Sequence, residues 1–265
     1  TTPYVVFVDN DVYPAKGWLQ ALVDCAEETG AWAVGPLYFE HMPLETRVHM
    51  AGGISRLLTD DRGRRYYKEK HQHAHQLLSD IDEPLERRET ELIEFHAVLV
   101  AMEAFKKLGP LDEGLLNHAE HADLSLMIRQ AGGKVYLEPA SRITYVPPRK
   151  LYDEDRKYFE LRWSEAWSQA SLRRFIEKWN LAPRHKEIRI ARWWMRYHRR
   201  YGSRVQARVR KWFGPRFTHY AQQVGFQQAE ALWNRWNYPA SRYGTVEPPR
   251  VEVVHRPPTR PDRAA

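Results

Sequence analysis

Blocks of apolar and polar residues along the chain predict strands and helices in turn. A run of β-branched and aromatic residues at Tyr4–Val8 predicts a strand covered on both faces, as in a parallel sheet. Apolar residues at helical spacing over 16–29, followed by Gly30, predict a helix, and 31–39 predicts the next strand. Strand, helix and strand with short joints indicate a βαβ unit.

The pattern after this unit predicts polar loops and then further elements of both kinds. Residues 40–92 are polar and charged, so we expect long loops with a hairpin there. Apolar runs and glycine stops then predict a strand at 95–102, helices at 103–108 and 123–131, and short strands at 135–137 and 142–146. This order of elements indicates an α/β fold.

Three later stretches place apolar, mostly aromatic residues at helical spacing: 151–180, 188–213 and 219–236. Arginines fill the polar positions of the second stretch, and no acid occurs between 188 and 216. Such a face fits an interfacial helix on an anionic membrane. Packing of the aromatic stripe on the rest of the protein is the favoured interpretation, and membrane contact is the alternative. Nucleic acid is not an expected partner, because no recognised binding module accompanies the arginines.

Charge divides the chain in a similar way. Residues 1–180 hold 23 Lys and Arg against 29 Asp and Glu, whereas residues 181–265 hold 18 against 5. The net charge of +7 therefore describes an acidic body with a strongly basic C-terminal third. We expect a core at 1–150, a helical, basic and aromatic-rich extension at 151–240, and a disordered Pro- and Arg-rich tail at 241–265.

Composition excludes several classes of protein. Cys25 is the single cysteine, which excludes a disulfide framework and a cysteine-based zinc site. The apolar run at 95–102 is far shorter than the roughly 20 residues that span a bilayer, and no signal peptide is recognisable. We expect a cytoplasmic protein, and the basic face at 188–216 allows peripheral contact with the inner face of an anionic membrane.

The first candidate ligand- and metal-binding residues are Asp9, Asn10 and Asp11, which directly follow the first predicted strand. Ligands of open α/β sheets bind where strands end, and two carboxylates two residues apart can share Mg²⁺ or Mn²⁺. A cation held there would neutralise a departing diphosphate. The alternative is turn chemistry, since Asp and Asn commonly end a strand.

A second acidic group, Glu120, His121 and Asp123, lies where a helix is predicted to begin. A carboxylate or a neutral imidazole at this point can take a proton from an acceptor hydroxyl. Acids near a helix N-terminus also stabilise the helix by capping and by electrostatics, so capping is the alternative.

Histidines form a third group of candidates. His71, His73 and His75 alternate and would share one face of a strand, where solvent exposure is favoured over a metal site. His49 and His96 flank apolar segments and fit buried or rim positions equally well.

Five segments in sequence order resemble a known family: the strand ending in Asp9 and Asp11, 17–19 (GWL), 48–53 (VHMAGG), 105–112 (FKKLGPLD) and 120–132 (EHADLSLMIRQAG). Together they resemble family-2 glycosyltransferases of the GT-A fold over about residues 4–180. The resemblance implies an α/β fold with a GT-A-type, Rossmann-like mixed sheet, of which this chain holds the C-terminal part, followed by an α-helical extension.

The resemblance also implies a reaction and its cofactors. A hexosyltransferase-type enzyme would move a sugar from a nucleotide-diphosphate sugar to a hydroxyl of a glycan, a lipid-linked acceptor or an envelope polymer, with inversion. Asp9, Asn10 and Asp11 would bind the nucleotide sugar. Asp9 and Asp11 would hold Mg²⁺ or Mn²⁺, with Asp11 the more direct ligand.

The same resemblance implies residues on the acceptor side, and this chain departs from the family there. The base would be His121, Glu120 or Asp123, although many members carry a second acid where His121 stands. His49, Gly52, Gly53 and His96 would line the acceptor side. Many members have a late metal-binding histidine where this chain has Tyr145, and glycine in place of His96 and Ala97.

The family's first nucleotide-binding βαβ half would precede Tyr4 and is not in this chain. We therefore expect residues 1–265 alone to transfer no sugar. A non-catalytic carbohydrate-binding relative of the same fold is the alternative function, motivated by His121 and Tyr145. A nucleotidyltransferase is a third hypothesis, which the acidic motif at 120–123 disfavours.

Overall fold

The computed structural model describes residues 2–43, 45–147, 152–199 and 227–244, together with 208, 210–214 and 216–217. The strands are β1 (Tyr4–Val8), β2 (Val12–Pro14), β3 (Ala33–Glu40), β4 (Arg47–Met50), β5 (Gly53–Thr59), β6 (Arg65–His71), β7 (Arg88–Glu89), β8 (Ala97–Ala101) and β9 (Val135–Tyr145). The helices are α1 (Trp18–Thr29), α2 (Met102–Leu108), α3 (Glu120–Gln130), α4 (Asp153–Arg162), α5 (Glu165–Trp179), α6 (Lys186–Arg199), α7 (Gln227–Asn237) and α8 (Ala240–Tyr243).

Within the described ranges, seven strands form one mixed sheet with the central order β1-β8-β3-β9-β2. β3 and β9 run parallel, whereas β8 is antiparallel to both of its neighbours and β2 is antiparallel to β9. β4 extends β3, and β7 pairs with β9. The predicted fold class, an α/β fold with a mixed sheet followed by helices, is confirmed.

β1 is an edge strand of this sheet, and the prediction that it lies in a parallel arrangement is wrong. It pairs antiparallel with β8, from Tyr4 opposite Ala101 to Val8 opposite Ala97. Both faces are only partly covered, and Val8 at the end of the strand is exposed. Phe7 packs edge-on against Phe95, while the alternate side chains pack in the cluster under α1. An antiparallel strand with both faces covered has the same apolar run as a parallel one.

The predicted strand–helix–strand unit is present as β1, α1 and β3. α1 ends at Gly30, whose left-handed φ of 67° lets its N–H bond to Ala26 O at 2.9 Å. Leu22 and Cys25 of α1 are fully buried in the cluster against the sheet. β8 is inserted between β1 and β3, so the two strands of this unit are not neighbours.

The segment 40–92 contains more regular structure than the loops and single hairpin predicted for it. The hairpin is β5 and β6, and β4 and β7 add short strands to the main sheet. β6 ends at His71, and His73 and His75 have left-handed φ angles of 58° and 66°. The prediction that these three histidines share one strand face is therefore wrong, because alternation requires a continuing extended backbone.

One long strand replaces the two short strands predicted near residue 140. β9 runs from Val135 to Tyr145, with a register shift opposite Pro36 and Leu37 of β3. Partners move from Glu138 to Arg142 across that shift. The polar and Pro-containing interruption in the sequence is thus accommodated as a bulge.

The helices after residue 152 pack partly on the α/β part of the chain. Trp163, Phe175 and Trp179 are buried in one cluster with Leu126 of α3, and Tyr67 of β6 meets Phe175 edge-on with ring centroids 5.2 Å apart. The boundary predicted at 150 and most of the tail predicted from 241 lie outside the described residues. None of the helices within the described ranges has the length and apolar character needed to cross a membrane.

Candidate functional site

Asp9 and Asp11 lie in the tight link between β1 and β2, at one edge of the sheet. The N–H of Asp9 donates to His96 O at 3.0 Å, and Asp11 O accepts from Val146 N at 2.8 Å. These bonds attach the link to the segment before β8 on one side and to the segment after β9 on the other. Asn10 occupies the exposed tip. The predicted turn is therefore present, and it holds both carboxylates at the same edge.

A histidine from another strand completes this group. His96 Nδ1 lies 2.9 Å from Asp9 Oδ2, and its ring stacks on Tyr145 with centroids 4.2 Å apart. The ligating atoms of Asp9, Asp11 and His96 all lie within 4.8 Å of one another. We refer to these three residues as the aspartate site.

The environment of Asp11 fits a bound cation. Its Oδ1 is buried and has no hydrogen-bond partner among the described residues. Burial raises the pKa of Asp11, and the charge of Asp9 raises it further. Two carboxylates and an imidazole form a donor set suited to Mn²⁺ or Mg²⁺, and a cation would satisfy the buried oxygen and offset the repulsion.

Tyr145 occupies the position where the resemblance implied a late histidine. It is the last residue of β9 and lies opposite Val12, directly after Asp11. The structure nevertheless places an imidazole beside this position, since the ring of His96 stacks on Tyr145. Sequence reasoning placed His96 on the acceptor side. No local signal indicates its contact with Asp9, since 87 positions separate the two residues.

α3 begins at Glu120, three residues before the predicted start. Its N-cap is Ala119, with a left-handed φ of 72° and no side-chain capping bond. The acids of the first turn therefore do not cap the helix with their side chains. Glu120 Oε2 is buried and has no hydrogen-bond partner among the described residues. Of the three candidate bases, Glu120 thus keeps an unengaged carboxylate oxygen.

His121 is held by two carboxylates. Its Nε2 lies 3.3 Å from Glu69 Oε2 and 3.9 Å from Glu94 Oε1. Burial by itself would lower the pKa of His121, but the charges of Glu94 and Glu69 outweigh burial and raise the pKa to about 10. This raised pKa favours the imidazolium, so His121 donates hydrogen bonds to the carboxylates and is poorly suited to act as a base.

The carboxylate of Asp123 is hydrogen-bonded by side chains of helix α5. Its carboxylate accepts from Lys178 Nζ at 2.7 Å and from Trp179 Nε1 at 2.8 Å. Burial raises the pKa of Asp123, and Lys178 opposes that rise. These contacts join α3 to α5, so Asp123 has a structural role that the sequence did not reveal.

His49 connects the aspartate site to the acids that surround His121. Its ring centroid lies 5.3 Å from that of His96 and 5.4 Å from that of His71. His71 Nε2 in turn lies 3.1 Å from Glu94 Oε1. A row of imidazoles and carboxylates therefore extends from the end of β1 to the start of α3. Sequence reasoning missed Glu69, which falls in the segment predicted as loops, and Glu94, which directly precedes the strand predicted at 95–102.

Gly52 and Gly53 are required by local packing. Gly52 has a left-handed φ of 74°, and a Cβ there would lie 2.8 Å from Thr90 Oγ1. A Cβ on Gly53 would lie 2.8 Å from Lys70 O. The Gly53 N–H donates to Thr90 Oγ1 at 2.8 Å. The pair lets the start of β5 approach its neighbours closely.

Comparison with known proteins finds similar chains among the solved structures. No protein-family model and no curated protein matches the chain. The chain is similar to a crystal structure of GalNAc-T7 with UDP, GalNAc and Mn²⁺, with 18% sequence identity and a TM-score of 0.39. The match covers 68% of this chain and 38% of that chain, so it spans about two fifths of the length of that protein.

Proposed function

We propose that this chain forms the metal-binding and acceptor-binding part of a GT-A-type glycosyltransferase site. The enzyme moves a sugar from a nucleotide-diphosphate sugar to a hydroxyl acceptor, with inversion at the anomeric carbon. The observation that carries the proposal is the aspartate site, where the buried Oδ1 of Asp11 lacks a hydrogen-bond partner among the described residues. The resemblance of five sequence segments to family-2 glycosyltransferases supplies the reaction class.

Asp9, Asp11 and His96 would hold Mn²⁺ or Mg²⁺. When bound, such a cation offsets the negative charge of the diphosphate leaving group. Asn10 at the exposed tip of the link offers an amide to the nucleotide sugar. His96 then has a role on the metal side as well as beside the acceptor.

Glu120 is the residue that we assign as the base. Its buried, unengaged Oε2 accepts the proton of the acceptor hydroxyl while the acceptor oxygen bonds to the anomeric carbon and the bond to the diphosphate breaks. His121, already protonated, positions the acceptor and supplies positive charge beside Glu120. Asp123 positions α3 through Lys178 and Trp179.

The acceptor side is assigned to His49 and His96, with Gly52 and Gly53 shaping the backbone beside them. Both side chains are partly exposed, and an imidazole nitrogen can donate to or accept from a sugar hydroxyl. The acceptor is a glycan or a lipid-linked sugar. A lipid-linked acceptor would agree with peripheral contact of α6 with an anionic membrane at the cytoplasmic face.

The basic, aromatic face of α6 supports this membrane contact. Ile190, Trp193 and Tyr197 are 56%, 55% and 40% exposed and lie at helical spacing. Arginines at 189, 192 and 196 alternate with them. Aromatic rings at an interface, flanked by arginine, suit an anionic lipid surface.

A non-catalytic carbohydrate-binding relative is the second candidate function. The position at which many family members carry an acid holds His121, which is fixed as an imidazolium between Glu69 and Glu94. A site without a base would still bind a sugar nucleotide or a glycan.

Mn²⁺ binding and sugar transfer together test the proposal. We expect Asp11→Asn to weaken Mn²⁺ binding in calorimetry, and to abolish sugar transfer in assays of the protein with nucleotide-diphosphate sugars. Asp61→Asn, an exposed carboxylate in the hairpin turn, is the matched control. Mn²⁺ binding without transfer from any sugar nucleotide would support the non-catalytic relative. Equal Mn²⁺ affinity of Asp11→Asn and wild type would contradict both functions.

A further inference from the structure

Three side chains from separate segments converge beside the aspartate site. His49 lies in β4, His71 ends β6, and Glu94 lies in the segment before β8. Their ligating atoms all lie within 4.8 Å of one another. The side chains are 21%, 22% and 14% exposed, so they are held by packing and an ion can still reach them. We refer to these three residues as the histidine site.

The nitrogen of His71 faces more acceptors than one proton can satisfy well. Nε2 lies 3.1 Å from Glu94 Oε1 and 3.2 Å from Glu69 Oε1. One N–H must be shared between these two oxygens, whereas a divalent cation would replace this proton at Nε2, bond to Glu94 Oε1 and leave Glu69 to His121. Two ligands of a tetrahedral zinc ion with bonds of about 2.1 Å lie roughly 3.4 Å apart, close to the separation already present.

His49 is oriented as a metal-binding histidine usually is. Its Nδ1 lies 3.3 Å from Oε2 of Glu40, a buried carboxylate on β3. Glu40 is itself held by His75 Nδ1 at 2.8 Å. With Nδ1 directed to a carboxylate, Nε2 is the nitrogen left for a metal, and such a carboxylate fixes the ring and increases its basicity.

We propose that the histidine site binds a second divalent cation of the zinc class, next to the aspartate site and distinct from it. Two imidazoles and a carboxylate suit Zn²⁺, whereas the carboxylate-rich aspartate site suits Mg²⁺ or Mn²⁺. The rings of His49 and His96 lie 5.3 Å apart, so the two cations would be neighbours. This inference stands on residues other than the aspartates and does not depend on sugar transfer. Where Zn²⁺ is bound, His49 acts through the cation and not by direct contact with the acceptor.

Calorimetric titration with ZnCl₂ tests the proposal on residues 1–265 stripped of metal and kept in excess Mg²⁺. We expect one equivalent of Zn²⁺ to bind. His49→Asn should weaken that binding at least about 100-fold, because it removes a ligand while the contacts of His71 remain. Asp11→Asn and His73→Asn should retain it; His73 is the matched control because it bonds Gln76 outside the site.

A second variant separates a metal-orienting role from a merely structural one. Glu40→Gln should keep one equivalent of Zn²⁺ but bind it about 10–100-fold more weakly, since it removes the carboxylate behind His49. Co²⁺ in place of Zn²⁺ should give the visible absorption of nitrogen and oxygen coordination in the wild type, and His49→Asn should lose it.

Two results would overturn the zinc site. One is a wild-type protein that binds no Zn²⁺ in excess Mg²⁺, or binds it no more tightly than His49→Asn. The other is loss of the Zn²⁺ equivalent in Asp11→Asn, which would assign the ion to the aspartate site. Failure of the glycosyltransferase proposal is measured separately, by Mn²⁺ binding and transfer in Asp11→Asn.

Discussion

The imidazole of His96 and the carboxylate of Asp9 lie 2.9 Å apart, although 87 positions separate them in the chain. The antiparallel register of β1 and β8 pairs Val8 with Ala97. Asp9, which follows β1, therefore lies beside His96, which precedes β8. The backbone reinforces this approach through the bond from Asp9 N to His96 O. A nitrogen donor is thereby added to the two carboxylates of the β1–β2 link.

His96→Phe should weaken Mn²⁺ binding by at least about tenfold, because it removes this nitrogen but keeps a ring that can stack on Tyr145. Isothermal titration at neutral pH measures the affinity, and His73→Phe is the control. Unchanged affinity in His96→Phe would remove His96 from the cation site.

Glu120→Gln should lower the rate of sugar transfer by about 10²–10⁴ and leave Mn²⁺ affinity and Tm unchanged, because the Oε2 atom makes no hydrogen bond among the described residues. Asp123→Asn is the comparison. It should lower the free energy of unfolding by on the order of 3 kcal/mol, since it breaks the buried pair with Lys178. Retention of transfer by Glu120→Gln would exclude Glu120 as the base.

Glu165 should make the packing of the C-terminal helices sensitive to acid. Burial would raise the pKa of Glu165, but Arg199 at 2.8 Å outweighs burial and lowers it to about 2. A folded pKa below the ordinary value of about 4.3 stabilises the fold above that pH, and this stabilisation is lost as the pH falls toward 2. Two pKa units correspond to about 3 kcal/mol.

Glu165→Gln should therefore lower the free energy of unfolding at pH 6.5, and its difference from wild type should shrink as the pH approaches 2. Urea unfolding at several pH values measures this dependence. Glu154→Gln, which alters an exposed residue of α4, is the control. A difference that stays constant with pH would show that the ionisation of Glu165 is not the stabilising factor.

Gly53→Ala should destabilise the protein by about 1–3 kcal/mol, because the new Cβ would lie 2.8 Å from Lys70 O and 2.9 Å from Leu92 Cδ2. Gly63→Ala is a useful contrast. Its Cβ meets nothing within 4 Å, so only its left-handed φ of 72° costs stability, about 1 kcal/mol. Thermal unfolding compares the two, and an equal or smaller loss in Gly53→Ala would contradict close packing at the start of β5.

Trp193→Ser should reduce binding to vesicles that contain anionic lipid, because it removes an exposed ring that stacks on Tyr197 with centroids 5.5 Å apart. Flotation with anionic and neutral vesicles measures binding. Tyr158→Ser, which removes an exposed ring from α4, is the control. Equal flotation of wild type and Trp193→Ser would exclude α6 as the membrane-binding surface.

The sequence by itself determined the local elements of the α/β part. The apolar run of Tyr4–Val8, the helical spacing before Gly30 and the buried run before Met102 each produced the expected element. The periodicity of side chains is a property of a single strand or helix, so it can be recognised without knowing its neighbours. The same holds for Asp9 and Asp11, which follow a strand and therefore lie at an edge of the sheet.

Only the tertiary structure decided which elements are neighbours. Insertion of β8 between β1 and β3 brings His96 to Asp9, and the β5–β6 hairpin brings Glu69 to His121 across 52 positions. Strand pairing depends on the register of distant segments, which no local pattern encodes. The protonation of His121 follows from those long-range contacts, because its pKa is set by carboxylates that only folding places beside it.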